Sequence, residues 1–190
     1  MNWKRAFWIL ASVNAAVLVW AVAWLFEPTS LVKRPERPGV EGASFTVYSK
    51  KEHLNAVIND YLAEKTKDHP LQYDVWLADR VYVSSEIPMF GRDVELVVSF
   101  VPKVVKGGNV ELTEPAISLG EWKLPVTYVL RYLQKHASLP DEVIIDPDQA
   151  RVYVALKDVR FGNGYQVAAK KIDLAADEIV FTLTIPTRQR

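Results

Sequence analysis

The chain has 190 residues with 23 basic and 23 acidic side chains, a formal charge of zero, and no cysteine. That balance offers no basic stripe to nucleic acid or to anionic headgroups. The missing thiols exclude disulfides, a cysteine nucleophile and a lipoprotein signal, an absence that fits a bacterial envelope protein.

Ala6–Phe26, AFWILASVNAAVLVWAVAWLF, runs without a formal charge, and only Ser12 and Asn14 interrupt it as polar side chains. A helix of that length spans roughly 30 Å, the thickness of a bilayer's hydrocarbon core. Trp3, Trp8, Trp20 and Trp24 cluster toward its ends, where amphipathic rings favour the membrane interface. The stretch predicts a single-pass membrane anchor. A signal peptide is the rival reading, since Lys4 and Arg5 precede the run and Ala21-Val22-Ala23 has the small-x-small form of a cleavage site. The run exceeds the roughly 7–15 residues of a usual signal core and continues past that site. Lys4 and Arg5 lie tight against it, which places residues 1–5 inside and the rest of the chain outside the cell membrane. Lys4 and Arg5 are two of the 23 basic residues, so the other 21 face 23 acidic ones, and the remainder carries about −2.

Residues 27–43 contain Pro28, Pro35 and Pro38 and read as an extended linker. The domain then spans 44–186, with a tail over 187–190. After a short extended piece, Ser44–Tyr48, Ser49 and Glu52 have the spacing of a capping box, which opens a helix. Leu54, Val57, Ile58, Tyr61 and Leu62 recur at i, i+3, i+4, i+7 and i+8, a broad apolar face expected to pack on a sheet. The helix fades near Lys67, before Pro70.

From Leu71 to Leu119 the period changes to two. Tyr73, Val75 and Leu77 alternate, as do Val81, Val83 and Ile87, and Val94, Leu96, Val98 and Phe100. Turns fall around Ala78-Asp79, Pro88–Asp93 and Lys106–Asn109, giving an antiparallel meander. In Val94–Val101 the opposite row holds Glu95, Val97, Ser99 and Val101, so both rows carry apolar groups. Such a strand is either covered on both faces or part of a sheet wider than its own helices cover.

A second helix follows Pro125, with Val126, Val129, Leu130 and Leu133 as its apolar face, Tyr128 and Tyr132 beside it, and His136 suited to the helix dipole at its end. The last third returns to strands over Val143–Ile145, Val152–Leu156, Tyr165–Ile172 and Ile179–Ile185, with an Asn-Gly turn signal at Asn163-Gly164.

The sequence holds no G-x-S-x-G, H-E-x-x-H, P-loop or G-x-G-x-x-G run. His53, His69 and His136 lie far apart, and Asp146-Pro147-Asp148 reads as a proline turn rather than a calcium loop. An enzyme, a cofactor and a metal are therefore not expected.

The basic-flanked apolar N-terminus, LNAVINDYL, VELVVSF, SLGEWKLP before a helix and the closing DLAADEIVFTLTIP resemble the YpmS family over nearly the whole chain. The resemblance implies a membrane-anchored protein of Gram-positive bacteria and carries over no catalytic residue. More remotely, the strand–SLGEWKLP–helix layout is similar to tubular lipid-binding domains, in which a curved sheet wraps a helix around an apolar channel; Trp122 stands where leucine is expected there.

The expected fold is α+β: one strongly curved antiparallel sheet packed on two amphipathic helices, behind one N-terminal transmembrane helix. The expected function is non-catalytic binding of a lipid or acyl-bearing molecule in an apolar groove. Leu54, Val57, Ile58, Tyr61 and Leu62 form one wall of it; Val94, Leu96, Val97, Val98, Phe100 and Val101 form the other. The alternative is an accessory subunit that docks an envelope protein. Expected partners are the bilayer, a bound acyl chain or that protein, and not nucleic acid.

Overall fold

The computed structural model describes residues 7–8, 12–17, 41–67, 72–89, 92–119, 124–137, 139–159 and 164–187. The chain divides into two compact units, Met1–Val32 and Lys33–Arg190. In the first, residues 7–8 and 12–17 are helical, and the Phe7 and Trp8 rings meet edge-on at 6.2 Å. Among the described residues no helix is long and apolar enough to cross a membrane. The expected transmembrane helix is thereby corrected. The rest of Ala6–Phe26, its orientation and its cleavage site lie outside the described residues.

The second unit is mostly β. A six-stranded antiparallel sheet has the order β2-β3-β4-β5-β7-β6, from β2 (Tyr73–Leu77), β3 (Val81–Met89), β4 (Arg92–Val105), β5 (Asn109–Leu119), β6 (Val143–Asp146) and β7 (Arg151–Val154). A three-stranded sheet has the order β1-β9-β8, from β1 (Gly42–Ser49), β8 (Gln166–Asp173) and β9 (Glu178–Pro186). The single curved α+β sheet expected from the sequence is therefore also corrected. The closing strands do not extend the meander. β1 pairs along its whole length with β9, from Gly42↔Pro186 to Ser49↔Ile179, and it begins inside the stretch expected to be linker. The two sheets touch where the Ala169 N–H donates to the Gly108 carbonyl at 2.7 Å. Gly108 has φ +80, and a Cβ there would lie 2.6 Å from that of Ala168, so the close approach requires glycine.

Helix α1 (Lys51–Thr66) and helix α2 (Val126–His136) take different roles. On α2, Val129 and the fully buried Leu130 enter a core with Leu96, Val98, Phe100, Leu119, Ile145 and Val152, as its periodicity predicts. On α1 only Thr66 is buried. Its Leu54, Ile58 and Leu62 pack half-buried against a smaller cluster of Val75, Leu77, Leu174 and Ile179. Polar contacts fix α1 instead. The Asn59 amide brackets Val75, donating to its carbonyl at 2.8 Å and accepting from its N–H at 2.9 Å, while Asn55 accepts from the Leu77 N–H at 2.8 Å. Four residues along a helix advance about 6 Å and two along a strand about 6.7 Å, so an i, i+4 pair of asparagines matches alternate residues of an edge strand. These side chains close the free edge of β2, which would otherwise present unpaired backbone groups.

The predicted capping box does not form. Lys50 is the N-cap residue, without a side-chain cap bond, and Ser49 Oγ donates to the Lys50 carbonyl. The Lys51 N–H donates at 2.9 Å to Asp177, in the turn between β8 and β9. Lys51 Nζ reaches the carbonyls of Ala78 and Leu174, tying the helix start to both sheets.

Candidate functional site

Between α1, the inner face of the six-stranded sheet and β9 lies a cavity of about 510 Å³. The strand register makes its floor apolar. Val75 faces Val83, Val83 faces Val98 and Leu77 faces Val81, so one row of side chains crosses β2, β3 and β4 on the same face. Leu96, Val98 and Phe100 of β4 line the cavity and are nearly inaccessible to solvent. Leu54, Val57, Ile58, Tyr61 and Leu62 line it from α1, and Phe181 and Leu183 from β9.

The residues expected to form a binding wall thus separate into two groups. All five on α1 meet Leu96, Val98 and Phe100 across the hollow. Val94 lies opposite Ile87 and packs against the larger core instead. Val97 and Val101 belong to the alternate row of β4 and do not line the cavity. Their face is the one where Ser99 Oγ accepts from Arg80 Nε at 3.1 Å, and where Val101 sits beside a bulge in β5 with Glu114 at φ 51.

Polar groups in the cavity wall are few. The Tyr61 hydroxyl donates to Glu142 Oε2 at 3.2 Å and so joins α1 to the loop before β6. Burial, and then the neighbouring Glu142 carboxylate, push the Tyr61 phenol up to about 12, because both disfavour a phenolate. Ser85 lies directly opposite Tyr73 in the β2–β3 register, and both line the cavity. Ser85 is 8% exposed, and its hydroxyl has no hydrogen-bond partner among the described residues. A period-two reading passes over it as one polar position in the row Val81, Val83, Ser85, Ile87.

The chain matches, over residues 2–185, a family described as "Uncharacterized protein conserved in bacteria (DUF2140)". It is 35% identical to the "Uncharacterized protein YpmS" of Bacillus subtilis (strain 168) over 190 positions, 97% of this chain and 98% of that protein. The chain belongs to the YpmS family. No solved structure matches it, and the likeness to tubular lipid-binding domains is not shown.

In this YpmS-family chain His53 lines the cavity wall, His69 lies outside the described residues, and Asp146, Asp148 and His136 have local partners. Asp146 accepts from the Gln149 N–H at 3.1 Å and pairs with Arg151 at 3.3 Å, as a turn requires. Asp148 pairs with Arg131 at 3.0 Å. His136 stands in the last turn of α2, its ring 4.7 Å from that of Tyr132. Asn163 of the Asn-Gly turn and residues 120–123 within SLGEWKLP lie outside the described residues. Among the described residues no group of three or more His, Cys, Asp or Glu side chains could hold a metal ion.

Proposed function

We propose that this domain binds an acyl chain, or a similarly elongated apolar chain, in the cavity between its sheets, without covalent chemistry. The observation that carries the reading is an apolar hollow of about 510 Å³ walled by a helix that contributes little to the core. Its lining is almost wholly apolar, so an elongated apolar chain lying in it would withdraw that surface from water. Each methylene buried there contributes about 0.8 kcal/mol, which makes an elongated chain a fitting occupant. The test is direct. The full chain, purified under mild conditions and extracted with organic solvent, is expected to release chain-bearing molecules near one per protein by mass spectrometry. Folded protein that releases none contradicts the proposal.

The accessory role has an observation of its own. β1 is an edge strand on which Phe45 is 52% and Tyr48 75% exposed, and such an edge can accept a strand from a partner protein. Phe45→Lys with Tyr48→Lys is expected to leave bound lipid unchanged; loss of a co-purifying protein on the same variant favours the docking reading.

A further inference from the structure

Ser85 stands in the cavity wall with its hydroxyl unused. On β3 it shares a row with Val81, Val83 and Ile87, and across the strands it faces Tyr73 on β2 and Leu96 on β4. That row turns inward, since Val81, Val83, Ser85 and Leu96 all line the hollow. Ser85 is buried, and among the described residues its Oγ has no hydrogen-bond partner. A buried hydroxyl left in that state is costly, and alanine at the same place would carry no such cost. Rotation about χ1 lets the hydroxyl turn along the wall, and it can donate or accept. The surroundings constrain the charge of whatever it meets. Among the described residues no lysine or arginine lines the cavity, and its one carboxylate, Glu142, already accepts from Tyr61. An ionised head drawn in beside Val83 and Leu96 would lose its hydration without gaining a counter-charge.

We propose that the chain held in the cavity carries an uncharged oxygen function, a hydroxyl or an ester, that hydrogen-bonds Ser85 Oγ. This rests on the chain-binding reading and adds the chemistry of the polar group, which is neutral and met by a single serine inside the hollow. A hydroxyl pairs with Ser85 as donor or acceptor, and an ester carbonyl accepts from it. A free fatty acid or an alkyl amine, ionised near neutral pH, is what this wall rejects.

Displacement of diphenylhexatriene, a fluorescent hydrocarbon without polar atoms, from the full chain tests it. The competitors are decanol, methyl decanoate, decanoate and decylamine, each kept below its aggregation concentration near neutral pH. The better of decanol and methyl decanoate is expected to compete about tenfold more strongly than either ion. Which of the two is better tells an alcohol from an ester, and either supports the proposal. Ser85→Ala is expected to weaken that competitor about fivefold while diphenylhexatriene binds as before. The variant is expected to melt no lower than the parent, which separates a lost contact from a lost fold; the ranking of competitors on the parent chain needs no variant. An ion that equals or beats both neutral chains overturns the uncharged head. Neutral chains that bind Ser85→Ala as tightly as the parent overturn Ser85 as their partner. Both results leave chain binding intact, because diphenylhexatriene is still held. Failure of diphenylhexatriene to bind the folded protein, or of every chain to displace it, overturns the chain-binding reading, and this inference with it.

Discussion

Asn59 makes two hydrogen bonds to a single residue of an edge strand, Val75. Asn59→Ala leaves both backbone groups without that partner and is expected to cost about 1–3 kcal/mol, with faster hydrogen exchange at the Val75 amide. Denaturant unfolding and exchange measured together check it; unchanged exchange would mean that α1 is held by something else. Tyr61 makes the pH-dependent contribution. Its folded value lies above the ordinary value of about 10, so the phenolic proton stabilises the fold fully below about pH 10. That contribution is lost as pH rises through about 12. Tyr61→Phe is expected to lose less stability than the parent between pH 10 and 12, and parallel melting curves across that window would contradict the assignment. Little of this was legible in the sequence. Ser49 and Glu52 have the spacing of a capping box, but the N–H of Lys51 is taken by Asp177, 126 residues away, and no local pattern reports that. The spacing of Asn55 and Asn59 was visible, yet it acquires meaning only beside an edge strand.

At the scale of elements, the two helices show what periodicity can and cannot distinguish. Both carry apolar residues at helical spacing, and both form. Periodicity cannot say whether the apolar face meets a packed core or a hollow. Leu130 on α2 is fully buried, and Leu130→Ala is expected to cost about 2–5 kcal/mol. Val57 on α1 remains 50% exposed although it lines the cavity, and Val57→Ala is expected to cost under about 1 kcal/mol. Comparable losses from the two would place α1 in the core after all. The strand pattern was legible where one face is covered: Tyr73–Leu77, Val81–Met89 and Val94–Phe100 lie where alternation predicts. In Val94–Val101 both rows were expected to contribute to one wall of the groove, whereas Leu96, Val98 and Phe100 line the cavity and the alternate row lies with Ser99 on the opposite face.

For the whole molecule, the larger sheet followed from hairpins between consecutive strands, which leave turn signals in the sequence. The smaller sheet depends on β1 meeting β9 from the far end of the chain, a pairing without any local signature. The consequence is functional: closing the fold through a second sheet, rather than extending the first, leaves the hollow between them. Gly108, where the sheets touch, is expected to tolerate no side chain. Gly108→Ala combines a positive φ with a clash and should cost about 2 kcal/mol or more by thermal unfolding, and a neutral result would argue against that contact.

The most direct test of the cavity's role is a single variant, Ile58→Trp, which fills the hollow from α1. Melting temperature and binding of an uncharged fluorescent probe, N-phenyl-1-naphthylamine, are measured on the same full-length sample. A groove that exists to hold a chain predicts a nearly unchanged melting temperature and lost binding. A large fall in melting temperature with binding retained would show that Ile58 belongs to a packed interior and contradict the account.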